Sequence, residues 1–380
     1  MLAFDSRQVD GLGRLVVRMK VVHVETGRHL YGGAQQVIYL ARGLRDRGLD
    51  NIIVCPPGSA IDAAARQQEI AVHNINCGGD IDLLFVRRLR HYLAETQPDI
   101  VHCHSRRGAD ILGGRAALRA GIPVLVSRRV DSRDNRFVAQ FRYAPFRRII
   151  AISENVAANL RKSSVDAERI VLIRSAVEVA SAAQSVGREL WQQEFNLPED
   201  AVVAVIAAQF IERKGHRFML QAMPDICRAH PNFRLVLFGE GPLESELREQ
   251  AAQLGVRDHV QFAGFRDDID HLLGSADMLI HPAVKEGLGV SMLKAAAAGL
   301  PVIAFDVAGA QEAVVHDITG LLVKPADDKA LLQAVTNLIE NPSERKRLGS
   351  AGQIRMRESF SIDEMADKHI DVYESMIKER

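Results

Sequence analysis

The sequence predicts an α/β protein built from two doubly wound, parallel-sheet domains that face a cleft. Three observations carry this expectation. The length of 380 residues exceeds one ordinary core and suits two of roughly 150 to 190 residues. Short β-branched runs alternate with stretches of helical spacing along most of the chain, which is how a parallel sheet covered by helices is written. The alternation fades once, over the small, polar, aperiodic residues 175–187, and then resumes, so a linker separates two similar halves. Halves of this kind hold ligands outside the carboxyl ends of their strands.

Taken in order, residues 1–18 carry Asp5, Arg7, Asp10, Arg14 and Arg18 with no apolar core region. They read as a disordered extension rather than a secretory signal, and Met19-Lys20 as a natural start. A first domain over 19–180 has strand-like runs at 20–24, 51–55, 100–104, 124–127, 149–152 and 170–173. Helical spacing fills 34–47, 81–96 and 154–162. A second domain over 181–357 has strand-like runs at 201–207, 234–239, 260–262, 278–281, 301–305 and 320–323, again with helices between. In the last segment, 358–380, Ile362, Met365, Ile370, Tyr373 and Met376 recur at near-helical spacing, which predicts a helix over 362–378 packing along one or both domains.

Composition narrows the function. Lysine and arginine number 48 against 48 acidic residues, which removes the basic signature of a dedicated nucleic-acid binder. Four cysteines, Cys55, Cys77, Cys103 and Cys227, lack the spacing of a zinc ribbon or a disulfide framework and suit a reducing compartment. No run approaches the length of a membrane span. Charge is unevenly spread, however: residues 86–150 hold fourteen arginines, no lysine and five acids. Such a field attracts anionic acceptors or an anionic membrane surface, with Arg87, Arg88, Arg90, Arg106, Arg107, Arg147 and Arg148 as candidate contacts.

The segment from His281 to Ala304 carries the most chemistry. A strand leads into a turn with Glu286, Gly287 and Gly289, and an alanine-rich helix begins near Ser291. Glycines in such a turn let backbone N–H groups approach an anion at the helix N-terminus, while a tight turn capped by Ser291 accounts for the spacing equally well. Other motifs weigh less. Asp268-Ile-Asp270 has the form of a metal-binding pair, but N-capping and solvated charge explain it better. His102-Cys103-His104 could suggest a metal, yet strand alternation turns Cys103 away from the histidines and no carboxylate completes a site. Gly239-Glu240-Gly241-Pro242 lacks the third glycine of a dinucleotide fingerprint.

Together these motifs resemble the nucleotide-sugar-dependent glycosyltransferases of family 4, the glycosyl transferases group 1, whose fold is GT-B. The resemblance runs from Met19 through Gly32-Gly33-Ala34, Asp99-Ile100-Val101-His102-Cys103-His104, Lys214-Gly215 and Phe238 to Pro242. It continues through Phe262 to Asp268, the Glu286 segment with Gly299-Leu300-Pro301, and Ala308-Gly309-Ala310-Gln311-Glu312. It implies a nucleotide diphosphate sugar as donor substrate, metal-independent chemistry, and catalytic roles for Glu286 and Lys214. Glu286 would accept from donor-sugar hydroxyls. Gly287, Leu288, Gly289 and Val290 would hold the distal phosphate, with Gly264 also on the donor side, and Lys214 and Arg213 would neutralise the departing diphosphate. On the acceptor side it implies Gly32, Gly33, His104, Arg128 and Arg129.

Three positions depart from the family. Lys294 stands where a second glutamate grips the ribose, Gln209 where an arginine meets the diphosphate, and Arg128-Arg129 where many members have a histidine. An arginine is no general base near neutral pH, but front-side retaining transfer needs none. The implied function is transfer of a sugar, with retention, to a saccharide or lipid-linked saccharide acceptor in cell-surface polysaccharide or glycolipid synthesis. The implied location is cytoplasmic, with peripheral contact at the inner face of the cell membrane. A nucleotide-sugar epimerase and a catalytically silent glycan- or partner-binding relative are the alternatives on the same scaffold.

Overall fold

The computed structural model describes residues 7–9, 15–17, 19–105, 108–179 and 186–379. It divides the chain into two units: residues 1–176 with 362–380, and residues 177–361. Arg106 and Arg107 lie outside the described residues, as does most of segment 1–18. Within that segment, expected to be disordered, β1 (Arg7–Val9) pairs antiparallel with β2 (Leu15–Val17).

The first unit is a seven-stranded sheet of order β5-β4-β3-β6-β7-β8-β9, parallel throughout. Its strands are β3 (Lys20–Val24), β4 (Asp50–Cys55), β5 (Ala71–Asn74), β6 (Ile100–Cys103), β7 (Val124–Arg128), β8 (Arg148–Ala151) and β9 (Ile170–Leu172). Val21, Val22 and Val24 are fully buried, as befits a central strand covered on both faces. The order reverses between β3 and β6. Right-handed crossovers then place α1 (Gly32–Asp46) and α2 (Ala60–Gln67) on one face. The other face carries α3 (Leu83–Thr96), a π-helical stretch Ala109–Gly113, α4 (Gly114–Arg119), α5 (Arg136–Tyr143) and α6 (Glu154–Lys162). Side chains mark several helix starts: Asp82 accepts from Phe85 N at 3.0 Å and Ser153 from Val156 N at 3.1 Å.

The second unit holds six parallel strands in the order β12-β11-β10-β13-β14-β15. These are β10 (Val202–Ala207), β11 (Phe233–Phe238), β12 (Val260–Gly264), β13 (Met278–His281), β14 (Val302–Phe305) and β15 (Gly320–Val323). The helices are α7 (Arg188–Glu194), α8 (His216–Ala229), α9 (Glu244–Gln253), α10 (Ile269–Leu273), α11 (Val290–Ala297), α12 (Ala308–Ala313), α13 (Asp328–Glu340) and α14 (Pro342–Ser359). Here the order reverses between β10 and β13. One core joins Met219, Met223 and Ile226 of α8 to Leu235, Leu237, Ile280 and Ile303 of the sheet and to Leu331, Val335 and Leu338 of α13.

The last helix, α15 (Ile362–Lys378), belongs to the first unit. Met365, Tyr373 and Met376 join the core made by Val21, Tyr39, Leu40 and Leu44, each contributing roughly 1.5 to 3 kcal/mol of burial. Arg47, the C-cap of α1, adds contacts to Asp363 at 3.1 Å and Asp367 at 2.5 Å. Among the described residues no helix is long and apolar enough to cross a membrane.

Candidate active site

Parallel strands present their following loops at one end of the sheet, and the place where strand order reverses leaves room there for a ligand. In the second unit that place lies between β10 and β13. The loop after β10 carries Gln209, Arg213 and Lys214; the loop after β13 carries Glu286 to Gly289. Lys214 Nζ donates to Glu286 Oε2 at 2.5 Å, and Val284 N donates to Arg213 O at 3.0 Å, tying the two loops together. Gly215 makes the approach sterically open: its φ is 71°, and a Cβ there would lie 1.9 Å from Pro282 O. Gly289, φ 71°, is the N-cap of α11 and uses no side-chain cap. Ser291, the expected cap, lies inside the first turn instead, because the positive φ of Gly289 starts the helix two residues earlier.

Glu286 is held at both oxygens. Buried His281 donates from Nε2 to Oε2 at 2.8 Å, and Gly287 N donates to Oε1 at 3.0 Å. Ser291 Oγ lies 3.5 Å from His281 Nδ1, consistent with a neutral ring whose Nε2 carries the proton. Burial raises the Glu286 carboxyl pKa, but the His281 hydrogen bond and then Lys214 outweigh it and hold the group well below the usual carboxylate range. A carboxylate oxygen accepts more than one hydrogen bond, so Oε1 keeps capacity for a hydroxyl.

The remaining residues expected on the donor side are placed unevenly. Leu288 is buried while Gln209 and Arg213 are exposed, and the Arg213 guanidinium lies 3.4 Å from Lys285 O. Gly264 ends β12, two strands from β10, where its carbonyl accepts from Gly239 N at 2.8 Å. Lys294, one turn into α11, donates to Asp270 of α10 at 2.9 Å. The acidic pair Asp268 and Asp270 is thus divided: Asp268 binds Arg266 and makes no side-chain cap, contrary to the capping expected of it, because the guanidinium two residues back takes both its oxygens. Pro242 lies in the turn before α9.

At the corresponding reversal in the first unit, between β3 and β6, the charge is buried differently. Glu25, 3% exposed, follows β3 and accepts from Gly27 N at 2.7 Å. Burial raises its pKa, against the opposing pull of hydrogen bonds from Gly27 and Ser105 and of the Arg129 charge. Arg129 is lowered to about 10 by burial, against the pull of Glu25, and its side chain passes beneath Gly33 at the start of α1. Arg128 turns away from this group to bond Ser132. His104 is buried, its Nε2 3.0 Å from His23 Nδ1, and His102 bonds Tyr373 Oη and Ser127 Oγ, each at 2.8 Å. Ligand atoms of His23, His102 and His104 lie within 4.8 Å of one another. Both nitrogens of His102 are nonetheless occupied, and burial, then neighbouring positive charge, push the His102 and His104 pKa values well below their ordinary value. The cluster is built as neutral imidazoles.

The description "Glycosyltransferase Family 4" matches residues 31–181 and "Glycosyl transferases group 1" matches residues 187–355. The chain belongs to glycosyltransferase family 4. This glycosyltransferase is 26% identical over 368 residues to a lipopolysaccharide core biosynthesis glycosyltransferase, LpsD, of Rhizobium meliloti, covering 95% of this chain and all of the relative. It is 34% identical over 176 residues to a GDP-mannose-dependent α-(1-6)-phosphatidylinositol monomannoside mannosyltransferase of Mycobacterium tuberculosis, covering 44% of this chain and 46% of that one. Its fold matches Anabaena HepE, solved with UDP, at a TM-score of 0.81 and 19% identity over 94% of this chain and all of that one. A glycosyltransferase from Rickettsia africae matches at a TM-score of 0.84 and 20% identity, over 96% and 100%. The fold is GT-B.

Two residues of the glycosyltransferase escaped the sequence reading. His281 is the last residue of β13, so its position at a strand's carboxyl end was the available signal. Glu25 had a similar signal, an acid directly after the buried strand Lys20–Val24.

Proposed function

We propose that this glycosyltransferase moves a sugar from a nucleoside diphosphate sugar to a saccharide or lipid-linked saccharide, with retention at the anomeric carbon, in lipopolysaccharide or polysaccharide synthesis. The second unit takes the donor and the first the acceptor. The observation that carries this is the Lys214–Glu286 pair at the β10/β13 reversal, which sets a cation and an acceptor-only carboxylate side by side at the N-terminus of α11. The acceptor hydroxyl attacks the anomeric carbon from the face the diphosphate leaves, and its proton passes to the departing phosphate oxygen. Lys214, Arg213 and the N–H groups of Gly287 to Val290 stabilise the charge that grows there. Glu286 Oε1 takes a sugar hydroxyl. Asp270, tied to Lys294, supplies the carboxylate on the ribose side that residue 294 does not. The chemistry uses no metal.

The full-length likeness to a lipopolysaccharide core enzyme supports the pathway, and a lipid-linked acceptor would place the protein in the cytoplasm against the inner face of the membrane. Thermal shift against uridine, guanosine and adenosine diphosphates and their sugars tests the proposal. One nucleoside diphosphate should raise the melting temperature of the wild type and do so less for Lys214→Ala. No shift with any of them would remove the donor site.

A further inference from the structure

The first unit exposes large apolar side chains at one end of one face. In the segment leading into α3 and in its first turn, Ile81, Leu83 and Leu84 are 89%, 75% and 64% exposed; in α5, Phe137 and Phe141 are 77% and 61% exposed, and Val138 is also exposed. These helices follow β5 and β7, so their first turns lie at the carboxyl end of the sheet. Both touch the segment Ala109–Gly113, which sits between them. With helices packing 8 to 10 Å apart, the apolar tips span on the order of 20 Å, and they are spread over neighbouring helices rather than gathered in a pocket.

Charge around these tips is predominantly positive. Arg87 and Arg90 share the exposed stripe of Leu83, four and seven residues on, while Arg133 and Arg136 precede Phe137. None of these four forms an ion pair among the described residues. The neighbouring acids are taken: Asp110 by Arg142, Asp134 by Arg128 and Arg142, Asp131 by Asn155 and Asn159, and Asp82 by Arg88. Among the described residues Asp80 is exposed just before α3, Glu154 is exposed at the start of α6, and Glu95 is exposed near the far end of α3, where it pairs with His91. Arg115 lies over the Phe141 ring, 3.9 Å from its centroid, presenting cation and aromatic together. By contrast, Arg147 precedes β8 and Arg148 begins it, at the opposite end of the sheet, and they are bonded to Met376 O and Glu379 respectively.

We propose that this face, the first turns of α3 and α5 with Arg87, Arg90, Arg133 and Arg136, docks on an anionic lipid bilayer. The apolar tips enter the headgroup boundary and the arginines meet lipid phosphates, the division of labour of an interfacial amphipathic surface. The inference rests on the acceptor-side reading for its purpose, since it brings the carboxyl end of the first sheet, with Gly33 and Arg129, to lipid-linked saccharide. It rests on nothing catalytic for its test.

Cosedimentation with vesicles of about one third phosphatidylglycerol in phosphatidylcholine decides it. The wild type should bind these vesicles and bind pure phosphatidylcholine weakly. Phe137→Ser with Phe141→Ser, and separately Leu83→Ser with Leu84→Ser, should each lower the partition coefficient at least about 10-fold with an unchanged melting curve. Arg87→Gln with Arg90→Gln should weaken binding to the anionic vesicles alone. Absence of wild-type binding, or wild-type partitioning in both apolar double variants, overturns the proposal. So does a self-associated form whose mass falls with the same substitutions, which would make the face a protein interface. Nucleoside diphosphate titration of the same variants keeps the two readings apart: lost vesicle binding with intact nucleotide binding strikes only the docking face.

Discussion

The two units place a carboxylate at the same topological position and treat it in opposite ways. Glu286 follows β13 at the strand-order reversal of the second sheet and is ionised, gripped by Lys214 and His281. Glu25 follows β3 at the reversal of the first sheet, and its burial favours the protonated form because no cation reaches ion-pair distance among the described partners; Arg129 acts on it only as a more distant charge. Topology therefore fixes where a reactive group can sit, and the partners one strand away fix its charge. The same position in the fold thus holds an ion pair in the second unit and a buried carboxyl near neutral imidazoles in the first.

The largest effect should come from breaking the pair in the second unit. Glu286→Gln and Lys214→Ala should each lower initial transfer rates at saturating acceptor at least about 100-fold, roughly 2.7 kcal/mol, while melting curves still show a folded protein. The equivalent change in the first unit, Glu25→Gln, should leave donor binding by calorimetry as in the wild type.

A smaller effect is expected at Lys294. Because Asp270 already supplies a carboxylate at 2.9 Å, Lys294→Glu would set two acids together, and nucleoside diphosphate binding should weaken by about 1 to 3 kcal/mol. Lys294→Glu with Asp270→Lys, which exchanges the charges, should recover part of that loss in the same titration; a weakening equal to the single variant's would separate Asp270 from the nucleotide.

The smallest effects are mirror-image pH dependences of stability. Glu286 has a folded pKa below its unfolded value of about 4.3, so its contribution is present above that pH and lost as pH falls. The advantage of the wild type over Glu286→Gln in melting temperature should therefore be full near neutrality and shrink below about pH 4. Glu25 has a raised folded pKa, so the wild type loses stability relative to Glu25→Gln as pH rises from about 4.3 through the folded value. Melting curves from pH 3.5 to 8, a range set by these roughly carboxylate-centred transitions, should cross the two variants in opposite directions. Parallel curves would mean that the two carboxylates share one environment.

Most of the sheet was legible because buried parallel strands are continuous apolar runs: 20–24 and 278–281 were read at their observed limits, and α15 at Ile362–Lys378. Strand β5, Ala71–Asn74, was missed because it is a four-residue edge strand with little burial, so nothing in its sequence marks a core face. The site was legible where backbone geometry demands particular residues, as at Gly215 and Gly289. It was not legible where function depends on which strand lies beside which: His281 meets Glu286 within one loop, but Glu25 meets Ser105 and Arg129 only because β6 and β7 follow β3 in the sheet. The same holds for Asp270 and Lys294, whose pairing needs α10 to lie against α11.

The central claim, that the charge pair at the second reversal binds a nucleoside diphosphate, is tested most directly by calorimetric titration of the diphosphate selected in the thermal-shift screen into wild type and Lys214→Ala. The predicted result is a dissociation constant at least about 10-fold weaker in the variant, the loss of one charge-assisted contact. Equal dissociation constants in two folded proteins would contradict it.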